Sequence, residues 1–434
     1  MKIEKIQINN FRGFKGEHII DFDPNLNVFV GRNGAGKSSI LDVIGIGLCW
    51  FLKELNFIED KKYLSHFDIN NEETYDTVIN LFINDAFNIE NEDILKRIHV
   101  CDGVSAYQHE KSSGYLNNKE LIINLLKNKI EDEYYALPVI RYFKFSSLIQ
   151  EKKDEKAYIF PQFEAYKNAF APSTDFLTFT NWFVKEEDEE NRIKVKNRDF
   201  DHINPKLNPV RVALEKFFTY FPESAFTKLA GGSKQDEKNL SLTIQKNGAD
   251  INIQQLSDGE KQVILYVADI AARLSIANPI FTLDDSIIAE QKYNQGYGVV
   301  LIDEIEAHLH PEWQRNIIPA LRGTFPNIQF FVTTHSPQIV SNVKREHIKI
   351  IENFKIVENT PYTYGRDANN ILYNIFGVEE RLPQIQAKFN ELYDLIDDEN
   401  TNGEAKKLMQ EIKTMLGEDD PEVQRAKTYL ELNT

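Results

Sequence analysis

The residues best suited to chemistry begin at Gly31. The run Gly31-Arg32-Asn33-Gly34-Ala35-Gly36-Lys37-Ser38 has the spacing GxxxxGK[ST]. Glycines at such positions let successive backbone N–H groups close around phosphate oxygens, Lys37 adds a point charge on the outer phosphates, and Ser38 offers a hydroxyl to Mg²⁺. Asn33, Gly34, Gly36, Lys37, Ser38 and Ser39 are therefore candidates for holding a nucleotide. Far downstream, the apolar run 299–302 closes on Asp303 and Glu304. Two adjacent carboxylates at the carboxyl end of a buried strand sit where open α/β sheets bind ligands. Asp303 is suited to holding Mg²⁺, mostly through water. Glu304 can orient or deprotonate an attacking water, since phosphoryl transfer depends on positioning and charge stabilisation.

These groups need elements to carry them. Residues 26–30 read as a strand entering the glycine-rich loop. Residues 39–55, apolar nearly all round, read as a helix leaving it, buried on several sides. Residues 2–9 alternate like a strand, with Phe11-Arg12-Gly13-Phe14 turning between the two, and 77–83 and 137–145 also read as strands. From about 150 to 235, aromatic and charged residues recur at helical spacing, broken at Pro172, Pro205 and Pro209. That stretch predicts a helical insertion, and without sustained heptads it is not a long coiled-coil arm. Asn247-Gly248 joins 240–245 to 251–255 as a hairpin. Ser257-Asp258-Gly259 then opens a second buried helix over 261–274. The runs 299–302 and 329–332 fit the interior of a parallel sheet, with a helix around Trp313 and Ile317 between them. Past 348–357 the chain reads as mostly helical, with a loop at 397–402. The glycine-rich loop and the carboxylates must converge from opposite ends of the chain. Residues 1–145 and 236–360 are therefore expected to form two lobes of one α/β head around a mostly parallel sheet with an antiparallel β subdomain. Residues 146–235 would be inserted, and 361–434 would be a helical C-terminal region.

Composition narrows the classes. A chain of 434 residues can bury a large core in two or three domains. Hydrophobic content of 42% and charged content of 27% exclude a disordered chain or a fibre. Cys49 and Cys101 form neither a CxxC pair nor a disulfide framework, which suits a reducing compartment; a cytoplasmic location is expected. No signal-peptide pattern opens the chain. The apolar run 40–52 contains Asp42 and is shorter than the roughly 20 residues a bilayer needs, so no membrane span is expected. A net charge of −17 repels nucleic acid unless cations gather on one face. Arg192, Lys194, Lys196, Arg198, Lys206, Arg211 and Lys216 do gather, but they follow Glu186, Glu187, Asp188, Glu189 and Glu190. They read as a solvated helix surface of mixed charge, and nucleic acid stays open as a partner.

Further segments carry a resemblance. Leu256-Ser257-Asp258-Gly259-Glu260-Lys261 resembles the ABC signature, with Asp258 where the commonest form has glycine; alone it also fits an ordinary capped helix. Thr333-Thr334-His335-Ser336 follows the apolar run at 329–332, and Glu306-Ala307-His308-Leu309-His310-Pro311 follows the two carboxylates. Asn10-Phe11-Arg12-Gly13-Phe14 lies near the start. Together with the phosphate loop, these resemble the SMC/Rad50/RecF/OLD branch of ABC ATPases, or P-loop NTPase heads, over residues 1–50 and 240–375. The resemblance implies that ATP and Mg²⁺ bind at Lys37, Ser38 and Asp303, with Glu304, His335 and Lys37 catalytic and His335 sensing the γ-phosphate. It also implies that Ser257 and Gly259 face the nucleotide of an opposite subunit, the chain forming a homodimer through ATP, or a higher oligomer. Residues 306–311 would then be a dimer-contact loop, against the rival of a His308/His310 metal pair. Arg12 would approach the phosphates, although a surface arginine is the alternative. The family's Mg²⁺-coupling glutamine is not identifiable, with Gln150 and Gln162 as candidates.

The tail segment 363–372, TYGRDANNIL, is similar to that of small bacterial heads in this branch. Some of those are the ATPase half of anti-phage systems such as Septu and certain retrons, whose partner is an HNH-type nuclease. The same architecture implies control of such a nuclease here. A RecF-like DNA-repair ATPase and a nucleotide-dependent scaffold with negligible turnover remain the alternatives. The tail after His335 lacks the glutamate and Asp-x-Asp strand end of a Toprim domain, so this chain is not expected to cut DNA itself.

Overall fold

The computed structural model describes residues 1–58, 77–84, 98–102, 113–116, 123–124, 136–144, 161–170, 176–223, 226–232, 241–279, 296–378, 381–398 and 402–432. Gln150, Pro172 and the ends of two expected strands, at Phe145 and Leu240, lie outside them. Two compact units emerge, Met1–Asp367 and Ala368–Thr434.

The first unit opens with an antiparallel sheet. Strands β1 (Lys2–Phe11) and β2 (Phe14–Asp21) pair across the turn at 12–13, and β3 (Leu26–Val30) leads into helix α1 (Lys37–Glu54). Strands β4 (Thr77–Asn84), β5 (Ile98–Asp102) and β6 (Ser113–Leu116) complete the first sheet in the order β2-β1-β4-β5-β6. Strand β2 was not anticipated. Its residues are mostly exposed, so it lacks the apolar signal of its neighbours and is held by pairing to β1.

After β7 (Val139–Phe143) come helices α2 (Phe176–Asn197) and α3 (Asn208–Phe218). The predicted mixed-charge surface lies on these helices. Arg192 pairs with Glu189, Lys194 with Glu190, and Lys206 with Glu186, while Arg211 bridges Glu187 and Glu190. The stretch expected as a helical insertion ends in β8 (Phe226–Gly231), which joins β9 (Leu242–Lys246) and β10 (Ala249–Asn252) in a three-stranded antiparallel sheet. Asn247 and Gly248 both take positive φ, the geometry of a tight hairpin turn. The second hairpin strand is shorter than expected. Residues 253–255 form a single 3₁₀ turn because Asn252 and Gln255 cap it reciprocally.

Helix α4 (Asp258–Ala277), strand β11 (Gly298–Ile302), helix α5 (Pro311–Thr324), strand β12 (Ile328–Thr334), short helix α6 (Pro337–Val340) and strands β13 (Ile348–Glu352) and β14 (Lys355–Ile356) complete this unit. The second sheet runs β14-β13-β3-β12-β11-β7, with every neighbour parallel except β14. All residues of β3, β7, β11 and β12 are buried, as continuous apolar runs in a two-sided sheet require. Parallel register brings Val30 opposite Thr334, and Ile302 opposite both Val332 and Phe143. The carboxyl ends of four strands, drawn from both ends of the sequence, thus share one edge. Helix α1 is buried along nearly its whole length, against β4 and β5 and against β12.

The second unit holds α7 (Ala368–Phe376), α8 (Pro383–Asp397), α9 (Asn402–Leu416) and α10 (Pro421–Leu432). The last three enclose a core of their own around Phe389, Leu392, Met409, Ile412 and Ala426. No described helix is long and apolar enough to cross a membrane.

Candidate functional site

The glycine-rich loop crosses the carboxyl edge between β3 and α1. Gly31 and Gly36 take φ of 151° and 110°, and a side chain at Gly31 would strike the Ile351 carbonyl, so glycine is required there. Arg32, Asn33 and Gly34 are exposed, whereas Lys37 and Ser39 are buried. The Lys37 ammonium arches back over the loop to the carbonyl oxygens of Gly31 (2.9 Å) and Arg32 (3.0 Å). Burial lowers its pKa; the neighbouring Glu306, Asp303 and Glu304 oppose that shift.

Strand β11 delivers the carboxylates. The Ser38 hydroxyl donates to Asp303 Oδ1 at 2.9 Å, so the first half of the chain meets the second at the residues the sequence singled out. Thr333, at the end of β12, links the pair. Its hydroxyl donates to the same Asp303 oxygen (2.7 Å) and accepts the Glu304 backbone N–H (2.7 Å). Glu304 itself has φ 52°, a sparsely populated conformation for a non-glycine residue that its surroundings must impose. Burial raises the Glu304 pKa, and Asp303 and Glu306 push the same way.

His335 follows β12. Burial, then the Lys37 charge, lowers its pKa to about 4, so the ring is neutral near pH 7. Its backbone N–H donates to Glu306, a residue the motif reading placed only in a contact loop. Among the described residues the other Glu306 carboxylate oxygen is buried with no hydrogen-bond partner, and burial raises this carboxyl's pKa too. Arg12 is half-buried. It donates to Asp42 Oδ2 at 2.9 Å and reaches Ser39 Oγ at 3.4 Å, so it is not a free surface arginine.

Ser257 and Gly259 are not gathered with these groups. Ser257 caps α4 in a reciprocal box with Glu260, whose other oxygen accepts from Lys246 at 2.6 Å. Ser257 and Asp258 are exposed, leaving the start of α4 open on the surface. Gly259 is buried against the backbone of His308 and Leu309, where a Cβ would collide with the His308 carbonyl. His310 caps α5 through Nδ1, and among the described residues no group of three or more metal-ligating side chains forms. The Gln162 amide is committed to the Ala277 carbonyl (3.3 Å).

Sequence reading missed Thr333, Lys144 and Phe354. Lys144, one residue past β7, donates to both oxygens of Asp42. Phe354, at φ 60°, gives its N–H to the Ala35 carbonyl at 2.9 Å, and its ring fills the space that side chains at Gly13 and Gly36 would need. Lys144 and Phe354 fall in no motif, and Thr333 lies in the segment singled out for His335, where its own role was not read.

Ser38 Oγ and Asp303 Oδ1 are hard oxygen donors sharing one hydrogen bond, a donor set that fits Mg²⁺. The acids Asp42, Asp303, Glu304 and Glu306 outnumber the cations Arg12, Lys37 and Lys144 in this neighbourhood. A polyphosphate would need a divalent counterion there.

Known proteins resemble this chain over most of its length. The chain is 27% identical to the "Retron Ec83 probable ATPase" of Escherichia coli, over 99% of this chain and 87% of that one. It is 23% identical to the "Septu protein PtuA" of Bacillus thuringiensis, over 92% and 90%. A crystal structure of an SMC head bound to the C-terminal winged-helix domain of ScpA aligns with 82% of this chain and 98% of its own, at 16% identity and a TM-score of 0.49. Residues 26–341, well over half of the chain, match the family described as "AAA domain, putative AbiEii toxin, Type IV TA system". The chain belongs to this AAA-domain family, as an ABC-type ATPase.

Proposed function

We propose that two copies of this chain close around two ATP molecules with Mg²⁺, hydrolyse them, and through that cycle control a partner nuclease of the HNH type in anti-phage defence. The observation that carries the reading is the meeting of Ser38 and Thr333 on one Asp303 oxygen at a single sheet edge, with Thr333 also accepting the Glu304 N–H. Mg²⁺ held by Ser38 and Asp303 would supply charge neutralisation on the outer phosphates. Lys37 binds those phosphates, and Glu304, with its raised pKa, orients and deprotonates the water. His335, neutral at physiological pH, donates to the γ-phosphate. The exposed start of α4 supports the shared site: Ser257 and Asp258 are open to solvent, and a helix N-terminus favours an anion. The names of the retron and Septu relatives support a defence role.

Glu304→Gln keeps shape but removes the base, which lowers turnover by about 10²- to 10⁴-fold while leaving binding largely intact. ATP should lock this variant as a dimer in light scattering. Lys37→Ala should lose both binding and association, and Ser257→Arg should bind ATP without pairing. If Ser257→Arg pairs as readily as Glu304→Gln, the shared site is wrong. Unchanged turnover in Glu304→Gln would remove the hydrolytic role.

A further inference from the structure

We propose that Phe354 is a positioning residue for the nucleotide: its backbone N–H sets the direction of the Ala35–Gly36 peptide in the phosphate loop, and its ring holds that hydrogen bond in place. This rests on the nucleotide reading above and extends the site to a turn that lies in none of the motifs. Residues 353–354 join β13 to β14, whose register pairs Glu352 with Lys355. Asn353 and Phe354 take φ of 49° and 60°. A two-residue hairpin turn with positive φ at both central positions favours Asn-Gly. The same chain supplies that pair at Asn247-Gly248, with φ of 51° and 84°. At 354 it supplies phenylalanine, for which the left-handed region is a genuine outlier. A local preference broken in this way, at a cost in strain, is expected where the residue serves a site.

The contacts of Phe354 identify that site. Its N–H donates to the Ala35 carbonyl at 2.9 Å. A peptide is planar, and no cis bond occurs among the described residues, so fixing this carbonyl toward the turn points the Gly36 N–H the opposite way. A loop that closes on phosphate needs that arrangement, with successive N–H groups directed inward and the carbonyls satisfied elsewhere. The ring secures the bond. It packs edge-on to buried Phe14, with centroids 5.3 Å apart, and occupies the space where Gly13 and Gly36 would carry a Cβ. Held between the turn at 12–13 and the start of α1, the ring keeps the Phe354 N–H from swinging away from the loop. Strand β13 adds a further contact, since Gly31, at the other end of the loop, lies against the Ile351 carbonyl. Both ends of the phosphate loop are thus fitted to one hairpin.

The test is calorimetric binding of Mg·ATP to the full chain together with steady-state ATPase kinetics, and thermal melting in the absence of nucleotide. Phe354→Gly keeps the N–H, restores the residue that the turn prefers and removes the ring. Relief of strain offsets lost packing, so melting should stay close to wild type. ATP affinity should fall about tenfold, the effect of one misdirected hydrogen bond to a charged group. KM should rise by more than kcat falls. Gly13→Ala gives a second route to the same ring: Gly13 lies outside the left-handed region, and the three atoms nearest to an added methyl all belong to Phe354. Alone it should weaken ATP binding; combined with Phe354→Gly it should cost nothing further, because the methyl then has room. The inference fails if Phe354→Gly binds ATP as wild type does, or if its affinity is lost only together with a large drop in melting temperature. It fails equally if Gly13→Ala has the same effect, or none, in both backgrounds. Wild-type ATP affinity in Lys37→Ala would overturn the underlying nucleotide reading instead.

Discussion

At the scale of single residues, the site depends on Thr333, which the sequence singled out only as a neighbour of His335. Thr333 hydrogen-bonds Asp303 and the Glu304 backbone at once, so it fixes the Asp303 carboxylate and the strained Glu304 backbone relative to each other. Thr333→Val keeps the volume but takes the acceptor from the Glu304 N–H and leaves Asp303 Oδ1 with Ser38 as its donor. A buried polar group left unsatisfied costs about 1–3 kcal/mol, and turnover should fall further than ATP affinity. Thr333→Ser should recover much of both in the same denaturation and ATPase assays. His335 makes a second prediction. Its folded pKa of about 4 lies below the unfolded value near 6.5, so between those limits the unfolded chain binds the extra proton. Stability therefore rises with pH across that window and is lost as pH falls through it. Urea denaturation at about pH 7 and about pH 5 should give a larger loss for wild type than for His335→Gln. Equal losses would mean that the ring is not held neutral by its surroundings.

At the scale of elements, the start of α4 and the loop after β11 are in contact within one chain. Gly259 lies against the backbone of His308 and Leu309, and the same loop begins at Glu306, which holds the backbone of His335. A change in the strand-end groups can thus reach the exposed Ser257 through packed backbone. Gly259→Ala places a methyl where the His308 carbonyl stands, and backbone cannot yield as a flexible side chain can. Nucleotide binding by Lys37 and Ser38 should survive, while ATP-dependent association in the Glu304→Gln background should weaken. Association at the Glu304→Gln level would show that this contact does not govern the pairing surface.

At the scale of the whole molecule, the two units have separate cores. Ile412 is fully buried within the second, and Ile412→Ala should cost about 2–5 kcal/mol there. Because the residues proposed to bind nucleotide all belong to the first unit, ATP affinity should hold while the variant acquires an earlier melting transition that ATP does not shift. A single transition, raised as a whole by ATP, would mean that the units unfold together. The net charge of −17 is not relieved along α2 and α3, since Arg192, Lys194, Lys206 and Arg211 are each tied to glutamates of the same region.

Some of this was readable without coordinates. Gly31, Gly36, Lys37 and Ser38 are legible because phosphate binding by backbone N–H groups demands glycine at fixed offsets. Asp303 and Glu304 are legible because a two-sided buried strand must be apolar until it ends. Local rules also placed α1, α4 and the turn at Asn247-Gly248. They failed at β2, whose mostly exposed surface carries little pattern, and at β8, which depends on β9 for its hydrogen bonds. The roles of Thr333, Glu306, Lys144, Asp42 and Phe354 were decided by tertiary structure alone. Each acts through a partner distant in sequence, and spacing along a chain carries no information about which strand ends a parallel register will bring to the same edge.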